Sequence, residues 1–535
     1  MSSSKTIKIF KRFGLKFALV YNIKKKLRKL QKALYKYFAK PYSYLVMFFY
    51  CTFALKNPHK AYKICKRFHY ALSHTQSLAF IAKHYDEIIS WTQSQEFKEK
   101  YLNTNHPYPP LLNPERLNAA LENKESQKDK QLQSMQSPQP YSNLSYESIS
   151  AEIAWDLNLP LPREYKSIWL YNSCSGGEAI QTFFEMCNVE FCTICWRFKD
   201  YKSAYLYLYK SYLQGKYIIF SFNNWQDNAQ RFAALLDKKV PIFCIARDPI
   251  SRLKTIINHL DNPSWDIDSS FKNFTLKSEI SFPTMYYRGA FKLKPDISII
   301  GKDMNFSFPP NELGSITTRL NWLKNATSEV IFLSIDEISG KMAFDTFINL
   351  SQKLQFDTPL KMKVFEGKVN RYEGLLMLPC ILNANTKDID KNTQEVEIKI
   401  IISTHQLTPN TNKNLRNIAP LIDIKMPQDN MICYTNARDY KTLSENELLL
   451  ANIKIYLQKY MKALEHYIAN IKANLVNEKD ILQYLKENQD IMLTLKQTLQ
   501  SDINHIEQMR PDIIESWKYF KEFKRMCDEL DKDLF

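Results

Sequence analysis

The sequence predicts an α/β fold: a mostly parallel sheet flanked by helices, with a helical N-terminal extension and a C-terminal helical hairpin or coiled coil. Three observations carry this. Between 166 and about 355, short apolar runs alternate with helical patterns, as in a sheet covered on both faces. The N-terminal region is basic, with Leu27, Leu30, Leu34 and Phe38 at helical spacing. Near the C-terminus, Leu450, Ile453, Leu457, Tyr460, Leu464, Tyr467 and Ile471 alternate three and four residues apart, which makes one apolar seam.

The strands expected are SIWLYNS, YIIFSF, VPIFCIA and VIFLSI, with helices at 178–187, 225–237, 249–260 and 341–354. The stretch 361–435 offers one clear strand, EVEIKIIIST. Ser444 and Glu447 read as a capping box for the seam helix. The seam predicts either an intramolecular hairpin or a homodimer through 444–475. A second helix is expected from 481 to 508, and a third, past Pro511, carries Trp517, Phe520 and Phe523. The stretch rich in Pro, Asn, Gln and Ser reads as a disordered linker. Four regions follow: a basic helical part at 1–100, the linker at 101–150, an α/β domain at 151–440 and C-terminal helices at 441–535.

The formal net charge of +17 belongs to one segment. Residues 1–85 hold 19 Lys and Arg and no acid, which leaves 54 bases against 56 acids in the rest. A nucleic-acid partner would have to rest on that segment alone, and none is expected. The basic helix is followed by YSYLVMFFYCTFAL, 14 uncharged residues, fewer than the ~20 that span a bilayer. Residues 1–60 therefore suit contact with an anionic membrane surface, or a helical cap on the protein's own core. The ten cysteines are scattered and no signal peptide is visible, so a reduced cytoplasmic setting is expected, peripheral on the inner membrane if that contact forms. Cys192-x-x-Cys195 lies on an apolar strand without a second pair, so it reads as core and no metal is expected.

Two motifs point to chemistry. NSCSGGEA contains Gly176 and Gly177, the only adjacent pair among ten glycines, at a strand-to-helix turn. Such a turn presents backbone N–H groups to an anion, and Ser173 and Ser175 add hydroxyls. It is neither a Walker loop nor a dinucleotide fingerprint, and a plain turn remains the alternative. VPIFCIARDPISRLKTIINH ends a strand at Arg247 and opens a helix at Pro249 that carries Arg252 and Thr255. A guanidinium and a hydroxyl across that corner can grip one phosphate, whereas an Arg247–Asp248 pair would be merely structural. A third element, an apolar strand ending in Asp336–Glu337 before a Phe-rich helix, orients loops or caps the helix.

In this order the three elements resemble the sulfotransferases, over about 166–356. The resemblance implies a nucleotide-binding α/β domain, with 173–177 cradling the 5′-phosphate of phosphoadenosine phosphosulfate and Arg247 and Thr255 holding its 3′-phosphate. The loop lacks the family's lysine, and Asn223 and Asn224 stand where many members have a catalytic histidine. The whole chain also resembles an epsilonproteobacterial family whose members are commonly described as sugar transferases. Some relatives there are linked to adding methyl phosphoramidate to capsular sugars, which implies a glycan acceptor and a cytidine nucleotide as an alternative donor. The expected activity is transfer of a sulfuryl, phosphoryl or phosphoramidate group to a sugar hydroxyl of a surface polysaccharide or its precursor. The leading base is His259, with Glu178 and Asp227 as rivals; Arg252 assists the phosphate grip. A nucleotide-sugar glycosyltransferase and a non-catalytic membrane-associated scaffold are the other readings.

Overall fold

The computed structural model describes residues 63–64, 75–119, 144–222, 227–261, 271–287, 292–303, 316–359, 365, 369, 375–404 and 414–533. The membrane-contact segment 1–60 lies outside these residues, as do Asn223, Asn224 and the middle of the expected linker, 120–143. The chain forms two compact units, Met1–Pro160 and Leu161–Phe535.

In the first unit, helices Thr75–Lys83, Tyr85–Gln93 and Ala151–Asp156 are tied by side chains. The Ser77 hydroxyl donates to Asp156 at 2.7 Å, and the Trp91 indole donates to the Pro110 carbonyl at 3.0 Å. Both ends of the expected linker pack on the unit, Tyr146 and Ile149 being buried at the second. Leu111, Leu112 and Leu117 are buried, and Leu111 N–H bonds the Leu157 carbonyl. Proline-rich composition hid these leucines, which supply the apolar burial an ordered segment needs.

The second unit holds the predicted parallel sheet. Its strands are β1 (Ile168–Leu170), β2 (Glu190–Thr193), β3 (Ile218–Ser221), β4 (Val240–Ala246) and, later in the chain, β8 (Thr327–Ser334). The order is β2-β3-β1-β4-β8, every neighbour parallel. β4 is an almost uninterrupted apolar run because both its faces are covered. Trp169 on β1 stacks on Phe243 of β4, with ring centroids 4.7 Å apart, and packs with helices Gly177–Met186 and Gly340–Leu354. Strand alternation sends Phe220 to the other face, where it meets Phe232 of helix Ala229–Ala234. Helix Tyr201–Leu213 also lies there, with Tyr201 against Phe222. Sequence reading missed that helix: its buried face is built of Tyr201, Tyr205, Tyr209 and Tyr212, which score as half-polar but bury their rings. β2 is the apolar strand expected around Cys192, whose buried thiol is pushed up to about 12 by burial.

Two short strands, β5 (Leu260–Asp261) and β7 (Tyr286–Tyr287), pair antiparallel. A second sheet joins β6 (Asn273–Thr275), β9 (Cys380–Asn385), β10 (Glu397–Thr404), β11 (Leu415–Asn417) and β12 (Met431–Asn436) in the order β11-β12-β10-β9-β6. It is antiparallel except for β6 against β9.

The seam helix is Glu447–Ala473, and it packs on this second sheet rather than on a neighbouring C-terminal helix. Tyr460 stacks on Phe274 at 5.1 Å, and Leu457 and Leu464 are fully buried. The seam residues therefore bury apolar surface within the chain. The expected Ser444 cap is also replaced. Ser444 ends the preceding helix, Ala437–Glu445, and Asn446 accepts from Leu449 N–H at 2.9 Å. Asn446 stands directly before the first turn with extended backbone, where a capping side chain reaches its target. The single helix expected at 481–508 is two, Glu478–Glu487 and Gln489–Met509, broken at Asn488.

Because the seam is satisfied internally, Leu464→Ala should lower unfolding free energy by ~2–4 kcal/mol in denaturant titration and leave the sedimentation coefficient unchanged. A change of oligomeric state would show instead that the seam joins two chains.

Candidate functional site

All strands of the first sheet end at one edge. The connection after β1 runs toward β2, and the connection after β4 runs toward β8 on the other side. The turns after β1 and β4 therefore flank a topological switch point, where open α/β sheets bind ligands.

The turn after β1 is built by local sterics. Cys174 takes φ 61° and Gly176 φ 93°, both left-handed, and Ser175 N–H closes the turn on the Asn172 carbonyl at 3.1 Å. A Cβ on Gly176 would stand 2.8 Å from Ile335, and one on Gly177 would stand 2.4 Å from the Tyr171 ring. Packing against the Tyr171 ring thus favours glycine at 177, and the left-handed backbone favours it at 176, whatever the turn binds. The helix that begins at Gly177 has Gly176 as its N-cap, so the cap residue itself brings no side chain to the first N–H groups. Ser175 is buried within the turn, and Ser173 is half-buried.

Arg247, at the end of β4, reaches this turn. Its guanidinium donates to the Cys174 carbonyl and, at 2.9 Å, to the Thr255 hydroxyl. Thr255 in turn donates to the Ser251 carbonyl at 3.1 Å. The structure thus joins 173–177, Arg247 and Thr255. Burial lowers the Arg247 pKa, opposed by Cys174, Glu478, Asp248 and Asp336. No carboxylate pairs with Arg247 among the described residues.

Asp248 explains why. It is 7% exposed, and its Oδ1 accepts from Ile250 N–H at 2.9 Å and Ser251 N–H at 3.3 Å. Its Oδ2 accepts from Tyr519 N–H at 3.0 Å and Phe520 N–H at 3.1 Å. One carboxylate therefore caps helix Pro249–Ile257 and anchors helix Lys518–Asp533. Burial raises its pKa, opposed by those four amides. The Arg247–Asp248 pair considered from sequence does not form.

C-terminal residues brace the same corner. Glu478 accepts from Ser251 at 3.1 Å and pairs with Lys254 at 2.6 Å. Burial acts to raise its pKa, but Lys254 and neighbouring donors hold it below the ordinary value. Glu337 accepts Ser334 N–H at 2.6 Å and lies 3.5 Å from Arg510, which also donates to the Phe332 carbonyl. This acidic strand end thus caps its own turn.

Two expected residues stand apart from the grip. Arg252 is buried in the packed face of its helix. His259 follows the helix end, two residues past Ile257, and is half-buried. The contacts joining Arg247, Thr255 and Cys174 do not include it.

Sequence reading missed Arg319 altogether. It is 1% exposed on helix Ile316–Trp322 and donates to the carbonyls of Tyr171, at 3.1 Å, and Phe222, at 3.0 Å, and to Asn172 Oδ1.

The geometry defines an α/β protein with a cationic, amide-lined corner at the switch point of a parallel sheet. Residues 332–530 match a family described as a protein of unknown function, DUF2972. No curated protein and no solved structure matches the chain. The matched segment begins inside β8 and ends in the last helix, so β1–β4 with their turns precede it. Among the described residues no helix is long and apolar enough to cross a membrane.

Losing both caps at once, Asp248→Ala should destabilise the protein by ~2–4 kcal/mol in urea unfolding. Amide exchange should rise first at 518–522, and protection kept there would contradict the double cap.

Proposed function

We propose that this protein is a transferase that moves an anionic group from a nucleotide donor to a sugar hydroxyl of a surface polysaccharide or its precursor. The observation that carries the reading is the state of Arg247. A guanidinium has five N–H donors, and among the described residues Arg247 uses two, on a carbonyl and a hydroxyl. It stands half-buried, without a carboxylate partner among the described residues, beside a helix start whose N-cap is Gly176. A cation desolvated this far and left with spare donors suits a phosphate.

In this reading the 173–177 turn and Arg247 with Thr255 hold the donor's phosphates, from phosphoadenosine phosphosulfate or a cytidine nucleotide. The acceptor hydroxyl oxygen attacks the sulfur or phosphorus as the bond to the donor's bridging oxygen breaks, and the nucleotide leaves with that electron pair. N–H dipoles and the guanidinium meet the charge spreading onto the transferred group. The hydroxyl proton goes to a base, for which His259 is the candidate. The sulfotransferase-like class and the kinship with sugar transferases belong to this proposal. So does peripheral attachment of the basic 1–60 segment to an anionic inner-membrane surface.

A thermal-shift screen of adenosine 3′,5′-bisphosphate, cytidine and uridine nucleotides tests the grip. At least one should raise Tm, and Arg247→Ala should abolish that rise while unfolding cooperatively; a rise that survives moves the site elsewhere. For the attachment, a chain lacking residues 1–60 should leave the membrane pellet for the supernatant, and full retention in the pellet would refute it.

A further inference from the structure

We infer that Arg319 is a positioning residue of this anion site: its guanidinium holds the diverging ends of β1 and β3 so that the 172–177 turn keeps its amides in place. The inference rests on the anion-site reading for its functional meaning.

The ladder between β1 and β3 runs through Ile168↔Phe220 and Trp169↔Ser221, and Phe222 N–H makes one more bond to the Trp169 carbonyl at 2.8 Å. Beyond that point the strands part. The next carbonyls, of Tyr171 and Phe222, stand one residue past each strand, and Arg319 Nη1 bonds both. Its Nη2 bonds the Asn172 side chain, one residue on, and the Asn172 carbonyl closes the turn on Ser175. Arg319 thus replaces the ladder where the crevice opens.

Burying a guanidinium costs several kcal/mol, and a well-packed apolar side chain would fill the space more cheaply. What an apolar residue cannot do is bind three acceptors on two strands. Lysine cannot do it either, because its donors radiate from one nitrogen rather than from a planar fork. The helix that carries Arg319 is itself fixed: buried Asp502 accepts from Ile316 N–H at 3.0 Å and Thr317 N–H at 2.9 Å. A continuous set of hydrogen bonds then runs from Asp502 through that helix to Arg319, Asn172, the turn, the Cys174 carbonyl and Arg247.

The test uses the full chain with Arg319→Lys and, separately, Asn172→Ala. Hydrogen exchange at 171–178 is read without ligand, and affinity is read with adenosine 3′,5′-bisphosphate and cytidine diphosphate. Both variants should exchange faster at 171–178, with unchanged exchange in β9–β12, and should bind at least ~10-fold more weakly. A folded Arg319→Lys that matches wild type within about twofold in both readouts overturns the inference. Should Arg319→Lys not fold, Asn172→Ala decides by the same two readouts. If wild type binds neither nucleotide, the anion-site reading fails and takes the functional part of this inference with it; retained binding with unchanged exchange sinks this inference alone.

Discussion

The Asp248 carboxylate is the joint that fixes the sheet's carboxyl edge. It accepts four backbone N–H groups from two helix starts, its own and one whose Tyr519 lies 271 residues further along the sequence. Both helix dipoles therefore point their positive ends at one buried negative charge. With every oxygen lone pair so directed, Asp248 has nothing left for its neighbour, and Arg247 turns instead to Cys174 and Thr255. Adjacent residues of opposite charge, which would ordinarily pair, are divided between two tasks. One holds the scaffold, and the other is left as a cation with spare donors.

The two arginines of this edge differ in the same way. Arg319 points inward, nearly without solvent, and its fork is occupied by carbonyl and amide oxygens fixed in the fold. Arg247 stands closer to solvent, with one carbonyl and one hydroxyl. The hydroxyl is on a rotatable side chain and has a backbone carbonyl of its own to bond. It can yield to a ligand oxygen without leaving a buried group unpaired, whereas no oxygen around Arg319 can be given up so cheaply. A ligand would therefore compete at Arg247 and leave Arg319 undisturbed.

Much of this edge was legible in the sequence, for identifiable reasons. β4 was legible because a fully buried parallel strand is a continuous apolar run, and Pro249 marked the helix start. Gly176 and Gly177 were legible as a turn, although their immediate causes are local: a left-handed backbone at 176, and at 177 a Tyr171 ring that leaves no room for a Cβ. The tyrosine-faced helix at 201–213 was not legible, because hydropathy discounts a ring that carries a hydroxyl. Arg319 and Asp502 were not legible either. Each is one charged residue in a helical pattern, and what makes it structural is a partner more than 140 residues away. The seam was read correctly as apolar, but period alone cannot say whether a sheet or another helix covers it.

The family match at 332–530 acquires a physical meaning from these bonds. The matched segment contributes Glu337, Glu478, Asp502, Arg510, Tyr519 and Phe520, each bonded to the parallel sheet's strands or to the elements at its edge. Its own order depends on residues before it, because the amides of Tyr519 and Phe520 are satisfied by Asp248, and Glu478 is held by Lys254. Separating the two parts would strand a buried carboxylate on one side and leave helix-start amides without acceptors on the other. Both losses are costly, so the matched segment and the β1–β4 sheet, which share one compact unit, are expected to unfold together. The C-terminal helices are the outer wall of the candidate site, and they hold the Pro249 helix, and with it Thr255, against Arg247.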